Sequence, residues 1–370
     1  MSDQATTADP PPYSQSCASC GAATEYAPGT DVLRCPYCGH EQPLPAPTRQ
    51  VREHSYAELM SKPRTPSETL AARRFVCQKC GARIQGDAVS QRCQFCTAPL
   101  VVDVASDDQV APEAVVPFVV DRGAARAAVR TWVRSRWFAP NRLKKVSEAE
   151  TMNSTYLPHW TFDANTVSHY RGERGEHYWE TETYTETVDG KTETRTRQVQ
   201  KTRWYPARGT VSRFFDDVLI AATSRVDQKK LGKLRPWPLA QAAPFQPGYV
   251  AGHESLRYDV EPDDGFSAAK DEMAPVIRAD CRRAIGGDEQ RIHSVDTSYL
   301  DVTYKLMLLP VWFASYLYGG KTWQVIVNGC SGEVQGERPY SPVKIALAVL
   351  VLLAVITAIV LLYLSHHHAN

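Results

Sequence analysis

The feature that most constrains this chain is the run from Ile345 to Leu364, twenty residues without a charged side chain. At about 1.5 Å per residue it reaches roughly 30 Å as a helix, the hydrocarbon thickness of a bilayer. The run is apolar on every side, so packing one stripe on a soluble core does not account for it. The pattern predicts a transmembrane helix over 345–364, followed by Ser365 to Asn370, and hence a tail-anchored chain. Arg338 and Lys344 precede the helix and no Lys or Arg follows it, which places the N-terminal bulk in the cytoplasm and the C-terminus outside. Met1 to Pro12 is polar and Pro-rich and does not read as a signal peptide. His366 to His368 read as a short solvated tail.

Eight of the ten cysteines fall before residue 97, in four Cys-x-x-Cys pairs. In a reducing compartment, pairs so spaced read as metal ligands rather than disulfides. The first group is Cys17, Cys20, Cys35 and Cys38, and the second is Cys77, Cys80, Cys93 and Cys96. A two-residue gap lets one tight turn present two thiolates to one ion, and zinc takes four such ligands tetrahedrally. Gly21, Gly39 and Gly81 follow the second cysteine of a pair, where such turns need unusual backbone angles. The chain is thus expected to hold two structural Zn2+ ions in two zinc ribbons, at 13–42 and 73–102. A single pair also suits a redox dithiol, but two matched blocks favour metal. Each block has few apolar residues, so metal binding is expected to supply its folding energy. The linker at 43–72 is broken by five prolines and carries a Ser55-x-x-Glu58 capping box. His40 and His54 read as solvated residues of this segment.

The formal charge of +1 gives no global reason to expect a nucleic-acid binder, so charge must be read locally. From Asp121 a helical period places Ala125, Ala128, Val129, Trp132 and Val133 on one face. Arg122, Arg126, Arg130 and Arg134 recur on another, and residues 122–145 hold eight basic groups and no acidic one. Such a stripe suits anionic lipid, nucleic acid or an acidic partner, and equally a solvated face paired with carboxylates elsewhere.

Residues 177–205 read as a hairpin about Asp189-Gly190, a type I′ turn signal that pairs Glu182 with Arg197, Glu176 with Arg203, and Glu186 with Glu193. The outer part is polar on both faces and is expected to project, either to meet a partner or as surface elaboration. Tyr156-Leu-Pro-His-Trp160 reappears as Leu308-Leu-Pro-Val-Trp312, which suggests two strands opening similar units. Between them a helix carries Met273, Val276, Ile277, Cys281, Ala284 and Ile285 on one face and ends at Gly286-Gly287. Cys281 reads as core, and Cys330 lies by a turn. Gly319-Gly-Lys-Thr322 lacks the earlier glycine of a phosphate loop and leads into a strand sequence. His159, His169 and His177 belong to no catalytic motif, and the chain is expected not to be an enzyme.

Two zinc ribbons, Tyr156-Leu-Pro-His-Trp160, Leu308-Leu-Pro-Val-Trp312, Val327-Asn-Gly329, Gly332-Glu-Val334, Gly336, Arg338-Pro339 and a terminal membrane helix together resemble a family of bacterial membrane proteins. The resemblance covers nearly the whole chain from Cys17. Members are often labelled relatives of the primosomal replication-restart helicase, although this chain carries no helicase motor motif. The resemblance implies association with membrane-organising proteins of the flotillin-like (SPFH) kind and with membrane stress. The fold class expected is α+β: two zinc ribbons, a mainly antiparallel domain with helices over 112–340, and the membrane helix. The function expected is a membrane-anchored adaptor recruiting cytoplasmic protein; the alternative is a membrane-tethered nucleic-acid binder using the ribbons and the Arg stripe.

Overall fold

A computed structural model describes residues 16–61, 73–76, 83–86, 88–92, 99–101, 110–135, 151–188, 191–318, 321–336 and 341–368. Cys77, Cys80, Gly81, Cys93 and Cys96 lie outside the described residues, as do Arg136, Arg142, Lys144, Lys145, Asp189-Gly190 and Gly319-Gly320. The chain opens with a three-stranded antiparallel sheet, β1 (Glu25–Tyr26), β2 (Val32–Arg34) and β3 (Glu41–Pro43). Strand β4 (His54–Ser55) and helix α1 (Tyr56–Ser61) follow, then β5 (Arg73–Val76) paired with β6 (Arg83–Gly86), and β7 (Ala88–Arg92) paired with β8 (Pro99–Val101). Next come β9 (Ala114–Val115), α2 (Arg122–Arg134), β10 (Thr151–Val188), β11 (Lys191–Ala221), α3 (Gln228–Gly232), β12 (Ala243–Pro244) and β13 (Glu254–Leu256). The chain then runs through α4 (Pro262–Ile285), β14 (Glu289–Tyr318), β15 (Lys321–Asn328), β16 (Val334–Gly336) and α5 (Pro342–His368). The result is a mixed α+β molecule built on a large, mainly antiparallel sheet.

The two Leu-Pro-x-Trp motifs meet at the centre of that sheet. Strands β10 and β14 run antiparallel with Leu157 opposite Leu309, Tyr156 opposite Pro310 and Pro158 opposite Leu308, so the motifs are related by a local two-fold axis. A proline in a paired strand loses a ladder bond unless its missing N–H faces an end. Pro158 and Pro310 stand where their hairpin partners stop, at Ala221 and Asn328, and their carbonyls accept from Ala222 N (2.9 Å) and Gly329 N (2.8 Å). The same contacts recur around the axis. Trp160 donates its indole N–H to the Val260 carbonyl just before α4, and Trp312 donates to Val120 just before α2, each at 2.9 Å. Tyr258 packs on Trp160 as Phe118 packs on Trp312, with ring centroids 5.0 and 5.2 Å apart. Strand β9 lies parallel to β14, and β13 parallel to β10.

Helix α2 buries Ala125, Val129 and Val133 and packs Ala128 and Trp132 against the same core, while Asp121 Oδ1 caps the Ala124 N–H at 2.8 Å. Helix α4 buries Met273, Ile277, Cys281 and Ile285 at a four-residue repeat that continues back to Ala269 and Gly265, with Phe266 buried beside them. Two residues depart from the expected face: Val276 is 39% exposed and Ala284 is exposed. The cause is width, because a helix on a twisted sheet buries only the stripe directly over it. Helix α5, 27 residues or about 40 Å long, is apolar over Lys344–Leu361 and none of that window is buried; it is long and apolar enough to cross a membrane. Its Thr357 hydroxyl donates to the Leu353 carbonyl at 2.9 Å, so no unbonded hydroxyl hydrogen faces outward there.

The segment expected as a linker is not a free spacer. Ser55 caps Glu58 N at 3.3 Å as the capping box requires, but β4 also pairs with β14 through Thr303 and Tyr304. Glu113, nearly buried, holds Arg49 Nη1 and Arg52 N (3.0 Å) and lies 3.1 Å from His54 Nε2, so His54 is exposed as expected and also touches this carboxylate. Strand β7 pairs with β13, which ties the second cysteine block to the domain as well. The hairpin pairs Glu182 with Arg197, Glu176 with Arg203 and Glu186 with Glu193, in the expected register. The last β10 residue paired with β14 is Gly175, so from Glu176 to Val188 the hairpin continues as two strands for roughly 40 Å.

Candidate metal centre and neighbouring charged groups

Two turns with the same wiring build the cysteine site. Cys17 N donates to Ala22 O and Gly21 N to Cys17 O; Cys35 N donates to His40 O and Gly39 N to Cys35 O. Gly21 and Gly39 take φ of +71° and +73°, the left-handed region where a side chain is strained. The turns bring Cys17 Sγ within 3.5 Å of Cys38 Sγ and Cys20 Sγ within 3.6 Å of Cys35 Sγ, with all four sulfurs within 4.8 Å of one another. Zinc–thiolate bonds of about 2.3 Å imply tetrahedral edges of about 3.8 Å, so the group fits one tetrahedral ion.

The four thiols are not equivalent. The Cys38 backbone N–H, more than burial opposes it, lowers Cys35 to about 7, whereas Cys20 is raised to about 12 because neighbouring thiols and burial outweigh a backbone hydrogen bond from Ala22. A cation held by these four cysteines would displace the remaining protons, since metal and proton compete for the same lone pairs. Cys17 and Cys35 are buried and Cys20 and Cys38 exposed, so the site lies at the surface. The three-stranded sheet carrying it is docked: Tyr26 N donates to Ala251 O (2.9 Å), Gly29 N to Phe118 O (2.8 Å), and Tyr26 and Leu33 join the core of the main sheet. That packing amends the expectation that metal alone supplies the folding energy of this block.

The Arg stripe divides. Arg122 Nη2 donates to the Met152 carbonyl at 2.8 Å and is engaged in holding α2 to β10. Arg126, Arg130 and Arg134 are exposed, and among the described residues no carboxylate pairs with them. His177 is tied to Glu289 (2.9 Å) and Gln200 (2.5 Å), and His169 to Thr210 (2.8 Å). Cys281 is core, and burial pushes Cys330 up to about 12.

No protein-family model and no solved structure matches the chain. Over 250 residues it is 24% identical to the uncharacterized protein YdjG of Bacillus subtilis (strain 168), covering 64% of this chain and 66% of that protein, just under two thirds of its length.

A second group of ligand-type residues was not legible in the sequence. Glu53, Asp163 and Asp217 place one carboxylate oxygen each within 4.8 Å of one another. Lys305, 7% exposed, sets its ammonium on Glu53 and Asp217, while Asp163 accepts from Asp217 N (2.7 Å) and the Thr303 hydroxyl (3.2 Å). Burial opposes the Lys305 charge, but the two carboxylates outweigh it and raise the group; burial raises Glu53. The chain supplies its own cation here, so the cluster reads as a half-buried ion network. Its members come from four separate segments with no shared spacing, which is why no motif announces it.

Proposed function

We propose that this protein is a non-catalytic, membrane-anchored adaptor whose zinc-bearing N-terminal region and β arm receive a cytoplasmic protein. The observation that carries the reading is the coexistence in one chain of an unburied apolar helix long enough to span a bilayer and a two-stranded arm on which Trp179 is 66% and Tyr184 37% exposed. Exposed aromatic residues on a polar ribbon suit protein recognition, because they give contact area at little entropic cost. Four thiolates with no open position suit Zn2+ as the structural ion, and Cys77, Cys80, Cys93 and Cys96 are proposed as the ligands of a second. Arg338 and Lys344 before the span orient the bulk toward the cytoplasm. Arg126, Arg130 and Arg134 then rest on anionic headgroups, at about 1 kcal/mol each. The partner class implied by the family resemblance is a flotillin-like (SPFH) membrane protein.

The test is Trp179→Ala plus Tyr184→Ala, two exposed aromatics of the arm, in the tagged, membrane-resident chain. Loss of the captured cytoplasmic partner supports the adaptor, and retention of every partner at the membrane contradicts it. The exposed Arg126, Arg130 and Arg134 favour one second reading, a nucleic-acid-binding membrane protein. That reading requires captured nucleic acid whose binding weakens steeply as salt rises.

A further inference from the structure

Beside α4, toward α3 and the segment around Trp237, lies a cavity of about 750 Å³, walled by His159, Leu231, Arg235, Trp237, Asp271 and Glu272 among others, and large enough for a small organic molecule. A second cavity of about 370 Å³ shares its Arg235, Trp237 and Glu272 wall. His159 comes from the first Leu-Pro-x-Trp motif and is 3% exposed. Its Nδ1 is 3.1 Å from the Leu157 carbonyl, which can only accept, so Nδ1 carries the hydrogen. Burial lowers the imidazole to about 4, so it is neutral at physiological pH and Nε2 holds a lone pair. Among the described residues Nε2 has no hydrogen-bond partner, and the ring lines the cavity. The two-fold axis supplies a control: the position equivalent to His159 is Val311, fully buried, so the fold does not require a polar side chain there.

The opposite wall adds a further acceptor. Pro275 stands inside α4 and has no N–H, so the carbonyl of Asp271, four residues earlier, loses its helical partner. Pro275, Asp271 and Glu272 all line the cavity. The guanidinium present is partly spent, since Arg235 Nη2 donates to the Leu219 carbonyl at 2.5 Å and Nη1 lies 4.0 Å from Glu272. The two acidic side chains, Asp271 and Glu272, outnumber the one cation, Arg235, and Trp237 and Leu231 offer an apolar wall.

We propose that this cavity is a binding site for a small organic ammonium compound, which donates to His159 Nε2 and the Asp271 carbonyl, sets its charge against Asp271 and Glu272, and lays an apolar body on Trp237. The site is independent of the adaptor reading. It is tested by calorimetric titration of the full detergent-solubilised chain with phenethylamine, alongside 3-phenylpropionate, which keeps the ring and reverses the charge. The expected result is saturable phenethylamine binding, no saturable phenylpropionate binding, and affinity weakened about tenfold or more by His159→Val and by Glu272→Gln. Glu272 is on the exposed side of α4, so its variant decides the matter if His159→Val fails to fold. Absence of saturable phenethylamine binding, equal binding of phenylpropionate, or unchanged affinity in Glu272→Gln overturns the site.

Discussion

At the scale of single residues, His159 makes the sharpest prediction. Its imidazole falls from 6.5 to about 4 on folding because it is buried away from solvent. Between those values the unfolded chain binds a proton that the folded chain refuses. The contribution to stability is therefore complete above pH 6.5 and declines as the pH falls toward 4, by on the order of 3 kcal/mol. Replacing His159 with Val, the residue at the equivalent position 311, is expected to flatten this acid limb in denaturation midpoints measured across that range. An unchanged limb assigns the acid sensitivity elsewhere. Cys35→Ser should lose one metal ion per chain by elemental analysis. Because Tyr26 and Leu33 pack into the main core, it should also loosen the Tyr26 contacts, seen as a changed near-ultraviolet dichroism. The cysteine spacing was legible because a metal site is local: two turns, each fixed by a glycine at positive φ. The importance of His159 was not, because its surroundings come from β10, the segment around Trp237 and α4.

At the scale of elements, periodicity and turn chemistry carried far. The α2 face, its Asp121 cap and the hairpin register all follow from local rules. What local rules missed is sharing. Val276 and Ala284 looked apolar enough for the core yet lie beside the contact stripe, and β4 and β7 looked like linker and ribbon yet add to the large sheet. Close strand approach sets one further expectation. A Cβ at Gly172 would stand 2.1 Å from the Arg291 carbonyl oxygen, beside the irregular pairing of Arg171 and Gly172 with β14. Gly172→Ala should cost about 1–3 kcal/mol by chemical denaturation, since backbone on the neighbouring strand must move. Shortening the arm instead, by removing 178–201 and rejoining with a two-residue turn, should leave the midpoint nearly unchanged. Beyond Gly175 no third strand among the described residues pairs with it, and its ion pairs, such as Lys201 with Glu180 and Arg197 with Glu182, are solvent-exposed. A large loss of stability would show the arm to be part of the core.

At the scale of the whole molecule, the chain joins a docked cysteine site, a sheet organised about Leu157 and Leu309, a projecting arm and an apolar helix. The recurring Leu-Pro-x-Trp motif marked two strands opening similar units, but only pairing revealed that the two meet at the centre of one sheet, with β9 beside β14 and α2 on β15 and β16, and β13 beside β10 and α4 chiefly on β11. Such crossing-over leaves no mark in local periodicity. In the proposed role the molecule anchors and presents a surface rather than transforms a substrate. The measurement that tests it most directly is crosslinking in cells, detergent extraction and capture of the tagged chain, comparing wild type with the arm-shortened chain and with Cys35→Ser plus Cys93→Ser. The account predicts a cytoplasmic protein captured with the wild type and lost from at least one variant that remains in the membrane. Capture of the same proteins by all three, or of nucleic acid alone, would contradict it.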